Sequence, residues 1–193
     1  MGQVGKPLPA KLVVGLIYRN SIVRIQTIAL LEKKYGGIDF ISDELDFGYT
    51  DYYRPEMGDC LKRLFISFRK LKRPDELAGI KIFTNKLEKL FSRNYRRLIN
   101  IDPGFLNASK LILATTKDYS HRIYLSKGIF VEVTLIYRGK SFEPLDWTYP
   151  DYKSKEYIEI FHAIRKIYCE QARSHRHCEE PSLGISVTKQ SRF

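Results

Sequence analysis

Runs of apolar residues divide the chain into predicted strands and helices. The first run, Leu12–Tyr18, is apolar throughout and predicts a central strand that is covered on both faces. A helix is expected to follow, because Asn20 or Ser21 can cap its first turn and two glycines at 36 and 37 can end it. The chain therefore opens with a buried strand and an amphipathic helix.

The next segments alternate between strand and helix patterns. Ile38–Asp43 predicts a short strand. The glycine, proline and aspartate content of residues 44–58 predicts a long irregular connection or a bulged strand end. Cys60–Leu71 alternates cleanly and predicts a strand with Arg63 and Phe65 on the same face. Pro74 suits the first turn of a helix that keeps its period to about residue 91.

The second half of the chain predicts further strands and one more helix. Leu98–Ile101 and Lys110–Thr116 are predicted strands, and Asp102-Pro103-Gly104 between them is a turn signal. Ser154 is expected to start a helix whose apolar stripe reaches residue 168. From about Ala172 the chain is polar and predicts a disordered tail.

A β-hairpin is expected between His121 and Tyr137. A three-residue loop, Ser126-Lys127-Gly128, would pair Leu125 with Ile129, whereas a two-residue loop would place Lys127 at positive φ and ranks second. The preferred register sets Arg122 opposite Glu132. One face of this hairpin is then apolar: Ile123, Leu125, Ile129, Val131, Val133 and Leu135. The other face carries Arg122, Tyr124, Phe130, Glu132 and Thr134.

This order of elements predicts an α+β fold. Its first six elements follow the ferredoxin-like split βαβ pattern, with extra antiparallel strands, a C-terminal hairpin and a final helix added. We expect an extension at residues 1–10, a single domain over 11–171, and the tail at 172–193. Helices on one face of the sheet would leave the other face partly open to solvent.

Composition and charge narrow the function classes. The chain has 193 residues and a net charge of +11, and the predicted tail carries only +2 of that charge. The basic character therefore belongs to the folded body, which favours a phosphate-bearing partner such as a nucleotide or RNA. No apolar run is long enough to cross a membrane, no export signal is visible, and three unpaired cysteines fit the cytoplasm.

The common catalytic motifs are missing from the sequence. It contains no phosphate-binding loop of the GxxxxGK[ST] or GxGxxG type, no GxSxG elbow and no HExxH pair. His175-Arg176-His177-Cys178 has metal-ligand residue types but lacks a second cluster. The sequence thus implies no cofactor, apart from Mg²⁺ if two or three of the loop carboxylates of Asp46, Asp51, Glu56 and Asp102 converge.

Two groups of polar residues are candidate sites. Arg122, Tyr124, Thr134 and Glu132, joined by Arg63 if the strands share a sheet, would bind phosphate and stack a base, or form only a surface ion pair. The second group lies between two strands, where Lys117, Asp118 and His121 could transfer protons together with Glu132, or form only a charged loop. Basic clusters at residues 69–73 and 93–97 suit phosphate contacts.

Several strings of the chain carry a family resemblance. They are KLVVGLIY, FGYTDYYRPEMG, LKRLFISF, NIDPGFL, KLILATTKDYSHRIYL, GIFVEVTLIY and WTYPDY. Together they resemble a bacterial family called domain of unknown function 4416, in order from about Lys11 to Gln171. Its members are often labelled GTP-binding proteins, but the resemblance brings no established activity. It gives emphasis to the polar and aromatic residues Asp51, Tyr52, Tyr53, Glu56, Asp102, Glu132, 117–122 and 149–152.

Three functions remain open at this point. The first is binding of a nucleotide or an RNA-like ligand on a basic, aromatic-lined sheet face. The second is an enzyme that acts on a phosphorylated or nucleotide substrate through a carboxylate and lysine site. The third is a structural or partner-binding protein without catalysis. Convergence of Asp51, Glu56, Asp102, Lys117 and Glu132 in one pocket would favour the enzyme, and a broad basic face would favour RNA.

Overall fold

The computed structural model describes residues 2–179, with side chains described as far as Arg173. The strands are β1 (Lys11–Tyr18), β2 (Ile38–Ile41), β3 (Leu45–Phe47), β4 (Leu61–Phe68), β5 (Ser92–Arg93), β6 (Arg96–Arg97), β7 (Ile99–Leu106), β8 (Lys110–Thr115), β9 (Ile123–Ser126), β10 (Ile129–Arg138) and β11 (Ser141–Pro144). The helices are α1 (Ser21–Tyr35), α2 (Arg54–Met57), α3 (Leu77–Leu90) and α4 (Lys155–Glu179).

The main sheet has the strand order β11-β10-β8-β7-β1-β4-β2, with β3 beside β4 and β9 beside β10. Every pair of neighbouring strands in this sheet is antiparallel. The portion β7-β1-β4-β2, with α1 and α3 as crossovers, has the ferredoxin-like order. Strands β8, β10 and β11 then widen the sheet beyond β7. The predicted α+β class and its final helix are confirmed.

Both faces of the sheet are covered by helices. Leu12, Val14 and Leu16 of β1 belong to the core beneath α1 and α3, whereas Val13 of β1 packs with Phe161 of α4 on the opposite face. The expectation of a partly open second face was therefore wrong. The apolar stripe of α4 needs a surface on which to bury its large side chains, and this sheet face supplies it.

The turn expected at Asp102-Pro103-Gly104 lies inside β7. These three residues pair with Gly15, Val14 and Val13 of β1, so the strand continues through them. On its other side β7 pairs with β8 only from Gly104 onward, which leaves the preceding residues at a free edge. Proline is tolerated in a strand at such an edge, because a missing N–H group there breaks no ladder.

The α4 helix is longer than its apolar stripe predicts. Ser154 caps it, with its Oγ accepting from the Tyr157 amide at 3.3 Å, as expected. The helix then continues to Glu179, past the predicted end near Ala172. The side chains of the candidate metal ligands at 175–178, and the predicted tail from residue 180 onward, lie outside the described residues.

The hairpin uses the second-ranked turn but keeps most of the preferred register. Lys127 and Gly128 have φ values of 53° and 75° and form a two-residue loop in which Ser126 pairs with Ile129. A bulge after Ile129 then brings Phe130 opposite Tyr124, so Leu125 does not pair with Ile129 as predicted. Beyond the bulge the register is the predicted one, and it leads to the expected contact between Arg122 and Glu132.

The predicted alternation of faces along this hairpin fails at two places. Thr134 lies in a second bulge of β10, where the pairing with β8 shifts, so Ile129 and Leu135 enter different cores. At the other end, Ile123 is 71% exposed although the pattern placed it with the core residues. No helix of the described residues is long and apolar enough to cross a membrane.

Candidate functional site

The candidate site is a cleft between β7 and β8. The two strands pair only at Gly104–Leu106 with Leu111–Leu113 and diverge on one side of this seam. A Cβ atom on Gly104 would lie 2.3 Å from the Ile112 carbonyl oxygen, so the strands can approach this closely only because residue 104 is glycine. The divergence leaves a cleft of about 560 Å³. That volume is within the range of small-molecule binding sites.

Side chains of α3 replace the missing strand partner of β7. Lys81 Nζ donates to the Ile101 carbonyl at 3.0 Å, and the Ile101 amide donates to Glu88 Oε1 at 2.6 Å. Both side chains are buried and line the cleft. The burial of Glu88 raises the pKa of its carboxyl, while Lys81 acts in the opposite direction. These bonds satisfy the Ile101 backbone and hold the divergence open.

Arg63 forms the floor of the cleft. Its side chain is 1% exposed, with Nη2 3.2 Å from Asp151 Oδ2 and Nη1 3.6 Å from Asp102 Oδ2. The guanidinium lies 4.8 Å from the Phe65 ring centroid and 5.3 Å from that of Tyr152. Burial acts to lower the pKa of Arg63, but the surrounding tyrosines and aspartates raise it by more. The net shift of the pKa is upward, so this side chain remains a cation.

The Arg63 guanidinium is only partly satisfied. Among the described residues, Nε and Nη1 have no hydrogen-bond partner although both atoms are buried. The pKa of the Asp151 carboxyl is raised by burial, against the effect of Arg63. Burying a hydrogen-bond donor without a partner costs free energy, and the cost is larger for a charged donor than for a neutral one. The floor of the cleft therefore holds unused donors that suit an anionic acceptor.

Asp102 is the acidic lining residue with the clearest access to the cleft. Its side chain is 27% exposed and lies between two cations, with Oδ1 3.6 Å from Lys81 Nζ. The Asn100 side-chain amide donates to Asp102 Oδ2 at 2.7 Å and fixes the carboxylate. This acceptor is thus held in place beside the unused donors of Arg63.

Arg122 and Glu132 form a buried ion pair in one wall. Arg122 Nε donates to Glu132 Oε2 at 2.7 Å, and both side chains are almost fully buried. The same guanidinium donates to the Tyr149 hydroxyl at 2.8 Å and to the Lys117 carbonyl at 3.1 Å. His121 Nε2 lies 3.1 Å from the same Glu132 oxygen. Arg122 is therefore a structural link between β8, β10 and the segment around residue 149.

A second ion pair joins Arg97, which lines the cleft, to Glu56, which does not. Arg97 binds both carboxylate oxygens of Glu56, with Nε at 2.8 Å and Nη2 at 2.7 Å. These hydrogen bonds lower the pKa of Glu56. Arg97 Nη1 also donates to Asn100 Oδ1 at 2.9 Å, which connects the pair to Asp102 through one amide.

Tyrosines surround the mouth of the cleft. Tyr52 is 59% exposed, and Lys117 Nζ lies 4.6 Å from its ring centroid. Tyr49 and Tyr149 are also partly exposed, at 45% and 44%. Exposed aromatic faces beside a cationic floor can stack on a planar ring such as a nucleobase.

The structure brings about half of the predicted site residues to this cleft. Those that line it are Tyr52, Tyr53, Arg63, Asp102, Lys117, Arg122 and Glu132. Those that do not are Asp51, Glu56, Asp118, His121, Tyr124 and Thr134. Asp51 is 85% exposed and pairs with Arg54, and Glu56 lies behind Arg97. The lining also shows that Arg63 and Arg122 are each neutralised by carboxylates, so the predicted basic face is a cleft of mixed charge.

Sequence reasoning missed several lining residues. They are Lys81, Asn85 and Glu88, whereas Arg97 and Asp151 belong to the stretches 93–97 and 149–152 that the sequence singles out. A signal for two of them exists in α3, because Lys81, Thr84 and Glu88 repeat at helical spacing from Leu77 and share its buried face. Polar residues on the buried stripe of an amphipathic helix need partners, and here the Ile101 backbone supplies them.

The predicted carboxylates do not assemble into a metal site. Among the side chains that the structure describes, residues 2–173, no group of three histidine, cysteine, aspartate or glutamate residues is placed to hold a metal ion. Asp51 pairs with Arg54, Glu56 with Arg97, and Asp102 with Lys81 and Arg63.

Comparison with known proteins gives a family but no activity. The model of the family described as a domain of unknown function (DUF4416) matches residues 8–168. The chain belongs to this family. No curated protein and no solved structure matches the chain significantly. The DUF4416 match covers all the strands that form the cleft, so the cleft is part of the family's domain.

Proposed function

We propose that this DUF4416 protein binds a nucleotide, or a phosphate-bearing small molecule of similar size, in the cleft between β7 and β8. The observation that carries the proposal is Arg63, a buried cation whose Nε and Nη1 lack hydrogen-bond partners among the described residues. Phosphate oxygens are strong acceptors for guanidinium donors. An anion on this floor would satisfy donors that are otherwise costly to bury.

The rest of the lining supports the same ligand class. Lys81, Arg97 and Lys117 add positive charge around the floor. Asp102 would accept hydrogen bonds from sugar hydroxyls, and Tyr52 at the rim would stack on a base. The cleft volume of about 560 Å³ is typical of small-molecule sites and so favours a small molecule over a nucleic-acid strand. The free thiols of Cys60 and Cys169 fit our further proposal that the protein acts in the reducing cytoplasm.

A thermal-shift screen against nucleoside mono-, di- and triphosphates tests the proposal. A ligand at about 100 times its Kd stabilises the folded state by about 2.7 kcal/mol, which raises the Tm of a domain of this size by roughly 5–10 °C. Lys117→Met should weaken binding without unfolding the protein, because Lys117 lies at the exposed rim. Arg63→Met should show no binding at nucleotide concentrations that saturate the wild-type protein.

Lys62→Met is the matched control. Lys62 lies next to Arg63 in β4, pairs with Asp46 at 2.7 Å and does not line the cleft. This variant loses one positive charge, as Arg63→Met does, and should retain the wild-type Kd. If no nucleotide shifts the Tm, or if Lys62→Met weakens binding as much as Lys117→Met, the proposed function is wrong.

Catalysis on the bound nucleotide is a second candidate function. The observation in its favour is Asp151, a carboxyl at the cleft wall whose pKa is raised by burial and which lies 3.2 Å from Arg63. A carboxyl with a raised pKa can act as a general acid near neutral pH. Chromatography of nucleotide mixtures incubated with the protein tests this candidate. If Asp151→Asn still forms product, Asp151 is not the general acid. If the wild-type protein forms no product from any nucleotide, the catalytic function is wrong.

A further inference from the structure

A small hairpin outside the cleft presents an aromatic ring to solvent. Strands β5 and β6 pair through Ser92 with Arg97 and Arg93 with Arg96, and the loop between them is Asn94-Tyr95. Both loop residues have positive φ, 50° and 61°, in the left-handed region that suits glycine. Tyr95 is fully exposed at 103%. A large aromatic residue gains nothing for folding in this position.

Three arginines surround the base of this hairpin and line a second cleft of about 580 Å³. Arg93 and Arg96 are directly opposite each other, a like-charge pair that destabilises a hairpin. Arg19, which follows β1, reaches the same cleft beside Gly58. Gly58 has a φ of 82°, which favours glycine, and Arg19 Nη1 lies 3.0 Å from the position that a Cβ atom of residue 58 would take.

These arginines differ from the others in how little they are paired. Among the described side chains, residues 2–173, no hydrogen bond, ion pair or ring contact involves Arg19, Arg93 or Arg96, and all three residues are exposed. By contrast, Arg54 and Arg97 each bind a carboxylate. Glu56, the acidic residue that lines the second cleft, is already bound through both oxygens by Arg97. The cleft therefore has a net positive charge.

We propose that this second cleft binds the phosphate backbone of a single-stranded nucleic acid, with Tyr95 stacking on a base. Several guanidinium groups along one open cleft suit successive phosphates better than a single small anion. An exposed ring beside them is the usual platform for an unpaired base. This site goes beyond the proposed function and does not depend on it, because it shares no lining residue with the cleft at Arg63.

Fluorescence anisotropy with a labelled single-stranded RNA of about twelve nucleotides tests the site on the full chain. The double variant Arg93→Ala/Arg96→Ala should raise the Kd at least about tenfold and reduce the slope of log K against log salt by about 1.4, because each phosphate contact to a single strand contributes about 0.7. Tyr95→Gly should weaken binding about fivefold or more by removing the ring. Asn-Gly is the preferred sequence for a two-residue hairpin loop, so this variant should fold at least as stably as the wild type.

A control double variant, Lys33→Ala/Arg138→Ala, removes the same charge from exposed positions on α1 and β10. It should change the Kd less than twofold. The proposal is overturned if the wild type does not bind the RNA at low salt, or if the control weakens binding as much as the Arg93/Arg96 variant. Tyr95→Gly without effect, together with equal binding of a duplex of the same length, would overturn the stacking role. The Arg93→Ala/Arg96→Ala variant should bind nucleotides as the wild type does, because neither arginine lines the cleft at Arg63. Its nucleotide Kd therefore tests the proposed function independently of RNA binding.

Discussion

Gly15 lies directly beneath the guanidinium of Arg63. A Cβ atom on Gly15 would be 3.3 Å from Arg63 Nη1 and 3.0 Å from Phe65 Cε1. Glycine in the middle of a buried strand is costly unless something else uses the space. Here the space holds the cationic floor of the cleft, so the packing of β1 is fitted to an arginine on β4.

Gly15→Val is expected to displace Arg63 and to weaken both stability and nucleotide binding. The added methyl groups overpack a region that is already tight, which costs about 1–3 kcal/mol of unfolding free energy. Urea denaturation measures this loss, and the thermal-shift screen measures binding. Gly79→Ala is the control, because a Cβ there contacts nothing within 4 Å in an α-helix. It should stabilise the protein slightly, and an equal loss in both variants would contradict the packing argument.

Gly104→Ala should disrupt the seam between β7 and β8. A Cβ atom at this position meets a backbone oxygen at 2.3 Å, which cannot move without breaking the strand pairing. We expect a loss of about 3 kcal/mol or more in unfolding free energy. Hydrogen exchange should show faster exchange of amides at 111–113 than in the wild type. Unchanged protection at these amides would mean that the seam tolerates a methyl group.

The Arg122–Glu132 pair should show strong thermodynamic coupling. Arg122→Met or Glu132→Leu alone leaves a buried charge without its partner and should cost about 3–5 kcal/mol. The double variant should cost less than the sum of the two, because no unpaired charge remains. A double-mutant cycle from urea denaturation gives the coupling energy. The exposed pair Lys155–Glu159, 3.8 Å apart, is the control and should show coupling near zero.

Glu56→Gln should destabilise the protein at neutral pH and have little effect in acid. The pKa of Glu56 in the folded state is lowered from 4.5 by its hydrogen bonds to Arg97, so its charged form favours folding. That contribution is complete above about pH 4.5 and disappears as the pH falls through the lower folded-state pKa. The difference in unfolding free energy between wild type and Glu56→Gln should therefore shrink below pH 4.5. A constant difference from pH 7 to pH 3 would show that the charge of Glu56 is not what stabilises the pair.

The order of the longer strands and helices was predictable because each carries a clear periodicity, whereas the short elements β3, α2, β5, β6 and β11 were not predicted. The Arg122–Glu132 contact was predicted correctly but from the wrong turn, because a bulge after Ile129 restores the register that the two-residue loop shifts. Bulges themselves leave almost no signal in a sequence, and the one at Thr134 changed which core receives Leu135. The alternation of apolar residues fixes a face only while the ladder stays regular.

The candidate cleft was less predictable than the fold. Its position depends on the divergence of β7 and β8, and Asp102-Pro103-Gly104 indicates a turn when it is considered without its neighbours. Only the pairing of these residues with β1 shows that they form a strand with one free edge. The burial of Lys81 and Glu88 is also explained only by the structure. Both side chains bind the Ile101 backbone of β7, at a point where β8 does not pair with it.

The position of α4 has a consequence for how the chain matures during synthesis. Of the described elements, β1 leaves the ribosome first and α4 last, yet Val13 of β1 and Phe161 of α4 pack in one core, and Lys11 donates a hydrogen bond to Gln171 across 160 positions of sequence. Until α4 emerges, one side of the sheet exposes aromatic and aliphatic residues to water. A nascent chain in that state is prone to aggregation. We therefore expect it to bind chaperones that recognise apolar surfaces until α4 covers this face of the sheet.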